Sequence, residues 1–116
     1  MNAMSLIIYP AADIARTKSF FTDVLGGEPY VDSPYYVGFK AGEIEIGLVP
    51  KAAQPGITGA LAYVTVTDIK SALANLRAAG AETVQDVTDV ANGLLVASVK
   101  TPDGTPIGLR QFPATT

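Results

Sequence analysis

One pattern is spelled twice in this chain, and it limits the possible folds more than any single residue does. In the stretch AYVTVTDIKSALANLRAAGAE, Tyr63, Thr65 and Thr67 alternate with Ala62, Val64 and Val66, which predicts a strand with one buried face. Asp68 then switches the period, because its carboxylate can accept the unpaired N–H groups of a first helical turn. Ile69, Ala72, Leu73, Leu76 and Ala79 follow at i, i+3, i+4, i+7 and i+10, an apolar stripe down a helix that Gly80 ends in the left-handed region. Near the N-terminus, LIIYPAADIARTKSFFTDVLGGE repeats the grammar, with Asp13 as cap, Ile14, Phe21, Val24 and Leu25 as stripe and Gly26-Gly27 as stop. Each copy closes on Ile-Gly-Leu, at Ile46-Gly47-Leu48 and Ile107-Gly108-Leu109.

The remaining elements follow from local signals. Residues 5–9 read as a first strand ended by Pro10, residues 13–25 as a helix, and 28–32, 35–40 and 43–49 as strands, with a tight turn at Ala41-Gly42. Residues 50–59, rich in proline and glycine, connect the halves. The second half has strands at 60–66, 82–88, 94–100 and 105–112, with reversals at Asn92-Gly93 and Pro102-Asp103-Gly104. Met1 to Met4 receives no structural role, and residues from Pro113 onward read as a frayed tail. The expected fold is α+β, one domain of two βαβββ modules, about 5–49 and about 60–113.

At 116 residues the chain suits two modules sharing one core better than two independent domains. The absence of cysteine removes disulfides and thiolate chemistry, and the absence of histidine removes the commonest metal ligand and general base. A net charge of −3 with scattered Lys and Arg argues against a nucleic-acid surface. No apolar run suits a membrane span and no signal-peptide pattern is seen, so a cytoplasmic location is expected.

The pieces ADIARTKSFFTDVLGG, TDIKSALANLRAAGA and TPDGTPIGLRQF, in this order and spacing, resemble the glyoxalase/bleomycin-resistance/dioxygenase family, also called the vicinal oxygen chelate superfamily. The resemblance covers nearly the whole chain. It implies a curved, half-barrel-like mixed sheet with helices on the convex side and a ligand cavity on the concave side. Enzyme members of that family hold a divalent metal through a His, Gln or Glu early in a module's first strand and a Glu or His in its last strand. The matching positions here are Leu6 and Leu61, each seven residues before its capping Asp, and Gly47 and Gly108, at the centres of the Ile-Gly-Leu triplets. None of the four carries a donor atom, so the expectation is no metal site and no cofactor.

Alternation puts Glu45 with Gly47, Arg110 with Gly108, and Tyr63 and Thr65 with Leu61. If those faces are concave, they form an apolar floor with a few polar groups, the composition of a small-molecule site. The expected ligand-binding residues are Leu6, Ile8, Tyr36, Phe39, Glu45, Gly47, Leu61, Tyr63, Gly108 and Arg110, with no catalytic residue. Two other readings stay open: Leu6 and Leu61 as plain core, and Glu45 and Arg110 as a mutual pair or solvated rim. The glycines suit either space for a ligand or a bend in the sheet. The resemblance therefore implies a metal-independent binder of an unidentified small molecule, one that sequesters a drug or metabolite and works as a homodimer. The alternatives are a lyase, isomerase or dioxygenase-like enzyme with a non-standard or absent metal site, and a structural or regulatory homodimer whose cavity is filled.

Overall fold

Asp13 and Asp68 do the same job in the two halves. In a computed structural model that describes residues 1–114, Asp13 accepts the Arg16 N–H at 3.1 Å at the head of α1 (Ile14–Leu25). Asp68 accepts the Ser71 N–H at 3.1 Å at the head of α2 (Ile69–Ala78). Gly26, at φ 74°, closes α1 in the left-handed region, and Gly80, at φ 105°, follows α2. The chain divides into two compact units, Ser5–Leu61 and the residues from Ala62 onward together with Met1–Met4. Each carries one βαβββ repeat, so the architecture is the α+β one read from the sequence.

In the first module, β1 (Met4–Ala11) leads into α1, then β2 (Val31–Asp32), β3 (Val37–Ala41) and β4 (Ile44–Pro50). β4 lies between antiparallel β3 and parallel β1. Val37, Phe39, Ile46 and Leu48 are buried on the helix side, where Tyr9, Ile14 and Phe21 pack against them. The Phe21 ring is 5.0 Å from Tyr9 and 6.1 Å from Phe39, so three rings meet among the aliphatic side chains of this small core.

The second module contains β5 (Leu61–Thr65), α2, β6 (Glu82–Ala91), β7 (Leu94–Lys100) and β8 (Pro106–Gln111). β8 pairs parallel with β5 and antiparallel with β7, and β7 pairs antiparallel with β6. Ile69 and Leu73 of α2 are buried against Ala97, Val99 and Leu109. The Gln111 side-chain oxygen adds a cap that no local pattern reveals, accepting the Ile69 N–H at 2.8 Å. Asn92 and Gly93, both at positive φ (48° and 93°), make the tight reversal between β6 and β7.

Several expectations need correction. β1 runs through Pro10 to Ala11, with Pro10 opposite Val49, because a proline near a strand end removes only one donor from the ladder. Met1 to Met4 is not idle: Met4 starts β1 and the Ala3 carbonyl accepts the Thr65 N–H at 2.9 Å. The strand expected at 28–32 shrinks to Val31–Asp32, and β6 continues past 88 to Ala91 with three register shifts. Val24 and Leu25 are 76% and 38% exposed and do not join the core. Val24 lies about 80° around the helix from Ile14, at the edge of the stripe, and Leu25 is the last residue of α1. Lys18 stands four residues after Ile14, where α2 has Leu73 after Ile69, so α1 has a narrower apolar stripe and no fully buried residue. Of the expected tail, Pro113 packs near Gly93, and Thr115 and Thr116 lie outside the described residues.

Candidate functional site

In each module the strands have one face under the helix and one face away from it, and the candidate residues other than Phe39 belong to the latter. In the first module the register sets Leu6 beside Glu45 and Ile8 beside Gly47, then Gly38 beside Gly47 and Lys40 beside Glu45. Since Phe39, Ile46 and Leu48 fill the core under α1, these alternate residues form the helix-free face. Phe39 therefore leaves the expected site. It is 2% exposed and lies on the helix side, because its strand partner is Ile46 and not Gly47.

Tyr36 dominates this face. A Cβ built on Gly47 would lie 2.6 Å from the Tyr36 phenol oxygen and 2.7 Å from both Tyr36 Cε2 and Ile8 Cδ1. A Cβ on Gly38 would lie 2.9 Å from Tyr36 Cε1 and 3.0 Å from Tyr30 Cε1. The paired glycines thus form a floor on which tyrosine rings rest, a known way of covering glycine in a sheet. The Tyr36 hydroxyl donates to Glu45 Oε2 at 2.5 Å, and Lys40 Nζ lies 3.8 Å from the same carboxylate and 4.7 Å above the Tyr30 ring. The short loop before β3 places Tyr36. Ser33 Oγ accepts the Tyr36 N–H at 3.0 Å and the Ser33 N–H donates to the Tyr36 carbonyl at 3.0 Å.

The second module repeats the device with a different donor of the ring. Tyr63 is opposite Gly108 in the parallel pairing of β5 and β8, and a Cβ at Gly108 would lie 2.7 Å from Tyr63 Cγ and Cδ2. Thr65 is opposite Arg110, whose Nε donates to Thr65 Oγ1 at 3.0 Å and whose guanidinium lies 4.8 Å from the centre of the Phe112 ring. Arg110 is 8% exposed and Tyr63 2% exposed. Leu61, fully buried, starts β5 on the Tyr63 face by alternation. Two residues on this face, Ser98 opposite Gly108 and Gln85 opposite Ser98, escaped the sequence reading, since the apolar run Leu94 to Val99 hides a single serine.

A divalent metal of the kind the family resemblance implies does not fit these residues. Leu6, Gly47, Leu61 and Gly108 offer no donor atom, and the volume a longer side chain at Gly47 or Gly108 would need belongs to a tyrosine ring. Glu45 is held by Tyr36 and Lys40. Among the described residues no group of three or more His, Cys, Asp or Glu side chains stands close enough together to hold an ion.

The first module also has two open clefts beside α1. One of about 420 Å³ is lined by Lys18, Ser19, Thr22, Asp23 and Glu28, and one of about 350 Å³ by Ile14, Lys18, Asp32, Ser33 and neighbours. Lys18 divides them, bonded to Asp32 at 2.7 Å, and that hydrogen bond raises its pKa above the ordinary lysine value. None of the expected ligand-binding residues lines either cleft.

Comparison with known proteins agrees on the fold. Residues 4–109 match the family model described as Glyoxalase/Bleomycin resistance protein/Dioxygenase superfamily. No curated protein matches the chain. A solved superfamily member from Vibrio splendidus 12B01 is 20% identical, with a TM-score of 0.71 over 96% of this chain and 98% of that one. A methylmalonyl-CoA epimerase from Streptomyces coelicolor, solved with 2-nitronate-propionyl-CoA, is 14% identical, with a TM-score of 0.70 over 98% and 99% of the two chains. A Mn(II)-bound glyoxalase from Novosphingobium aromaticivorans is 17% identical, with a TM-score of 0.68 over 95% of this chain and 38% of that one. At these identities the likeness is one of fold.

Proposed function

Because the chain belongs to the glyoxalase/bleomycin resistance protein/dioxygenase superfamily, we propose that it is a small-molecule-binding member that holds its ligand without a metal ion. The observation that carries this reading is the chemistry at the family's metal positions, where Leu6, Gly47, Leu61 and Gly108 stand with tyrosine rings on both glycines. What the helix-free faces carry is mostly buried apolar and aromatic side chains with a few fixed polar groups: Glu45 with Tyr36 in one module, Arg110 with Thr65 in the other. Such surfaces bind by shape and orient a ligand through a few hydrogen bonds. The ligand is sequestered without bonds being broken, and the protein works as a homodimer in the cytoplasm. Among the described residues no helix is long and apolar enough to cross a membrane.

A thermal-shift screen of metabolites and antibiotics, run with and without EDTA, tests the proposal. A ligand at about 100 times its Kd adds roughly 2.7 kcal/mol to apparent stability, and that gain should survive the chelator. Shifts that appear only with added divalent ions would favour an enzyme.

A second reading, a structural dimer with filled faces, is favoured by one observation: Tyr36 and Tyr63 already occupy the space their glycines leave. It predicts no shift with any compound.

A further inference from the structure

Ser98 on β7 is fully buried, and its Oγ has no hydrogen-bond partner among the described residues. Gln85, directly opposite on β6, has a buried Oε1 in the same condition. Both side chains belong to the helix-free face, because the alternate residues Ala97 and Val99 fill the core against α2. The pairings put four residues in one row across that face: Tyr63, Gly108, Ser98 and Gln85.

Two orphan oxygens side by side are a poor way to build a sheet. Each loses its bonds to water on folding and recovers nothing, whereas an alanine or valine at 98 would pack like its neighbours at no such cost. The backbone does not need them either, since the β6–β7 and β7–β8 ladders are made by main-chain groups. The two atoms differ in what they can accept and give. Gln85 Oε1 only accepts a hydrogen, while Ser98 Oγ both accepts and donates.

We propose that Ser98 and Gln85 extend the second module's site and take a hydrogen-bond-donating group of the ligand, a primary amide or a hydroxyl, whose apolar part lies along Tyr63. This rests on the binding reading above and narrows it to a ligand class. An amide N–H or a hydroxyl satisfies Gln85 Oε1, and the Ser98 hydroxyl can return a hydrogen bond to the amide carbonyl or hydroxyl oxygen. A carboxylate brings no hydrogen to Gln85, and a plain hydrocarbon brings nothing to either.

The test is an NMR titration of the labelled full chain with benzamide, benzyl alcohol, benzoate and toluene, on the natural protein and on Ser98→Ala and Gln85→Leu. Benzamide and benzyl alcohol should shift the Ser98 and Gln85 resonances, with benzoate and toluene binding about tenfold more weakly. Ser98→Ala should weaken benzamide by about tenfold while its ligand-free melting temperature stays level or rises, since an orphan oxygen has been removed. If benzamide perturbs Tyr63 and Arg110 but is indifferent to both substitutions, the Ser98 pair is overturned and the binding reading stands. If no probe binds, this inference fails, while the thermal-shift screen decides the binding reading separately. A crystal structure at saturating benzamide with one water bridging Ser98 and Gln85, and the ligand elsewhere, would also overturn it.

Discussion

Tyr36 occupies the space that a side chain at Gly47 would need: a Cβ there would come within 2.6 Å of the phenol oxygen. Contacts that close do not occur between real atoms, so any residue larger than glycine at this point must push the ring or Ile8 aside. Gly47→Ala should therefore destabilise the protein by about 1–3 kcal/mol, the usual cost of overpacking. Tyr36→Ala in the same chain should recover part of that loss, a coupling that a double-mutant cycle in urea would measure. Additive effects of the two substitutions would show that the ring does not rest on the glycine.

At Gly108 the obstruction is stiffer. A Cβ would meet the root of the Tyr63 ring at 2.7 Å and the Ala62 backbone carbonyl at 3.0 Å. Backbone cannot rotate out of the way as a ring can, so Gly108→Ala should cost more than Gly47→Ala, and Tyr63→Ala should rescue it less. Equal costs and equal rescue in denaturant titrations would contradict this ordering.

The hydroxyl of Tyr36 has its own effect. Its bond to Glu45, at 2.5 Å, is charge-assisted and half-buried, and Tyr36→Phe removes it while keeping the ring on Gly47. The expected loss is about 1.5–3 kcal/mol, the range for hydrogen bonds to charged groups. Equilibrium unfolding of Tyr36→Phe and Glu45→Gln measures it. The two combined should cost less than the sum of the singles, because both break the same Tyr36–Glu45 bond, while Glu45→Gln alone also loses the ion pair with Lys40.

The two helices should respond differently when an apolar side chain is cut back. Leu73 is 2% exposed, so Leu73→Ala should cost about 2–5 kcal/mol, whereas Val24, 76% exposed, should tolerate alanine within about 0.5 kcal/mol. Thermal melts of the two variants decide it.

Asp103 gives a pH signature. Hydrogen bonds from the Thr101 hydroxyl, the Thr105 hydroxyl and the Thr105 N–H hold its carboxyl below the usual aspartate pKa. A lowered folded pKa means the stabilisation is present above the unfolded value and is lost as pH falls through the folded one. Asp103→Asn should thus be less stable than the natural protein at neutral pH. The gap should close in acid below the folded pKa, as stability measured against pH would show.

The features legible in the sequence are the local ones. Asp13 and Asp68 announce helix starts within three residues, and Ile-Gly-Leu marks the last strand of each module without any knowledge of its partners. What needed three dimensions was register. That Tyr63 covers Gly108 follows from a parallel pairing across 45 positions of chain, which no window contains. Phe39 was misplaced by one phase of alternation, although Val37-Gly38-Phe39 reads like Ile46-Gly47-Leu48 and pairing glycine with glycine would have set it correctly. Val24 stays out of the core because, ten residues after Ile14, it lies about 80° around the helix from it, at the edge of the stripe, a phase the apolar count passed over.

Elemental analysis of the purified protein, after exposure to Mn, Ni, Zn and Mg and then dialysis, tests the claim of metal-free binding most directly, in the presence and absence of a bound small molecule. Leu6, Gly47, Leu61 and Gly108 leave nothing to coordinate an ion, so metal content well under one ion per chain is the predicted result in both states. One tightly held ion per chain, released when Glu45 is replaced by glutamine, would contradict it.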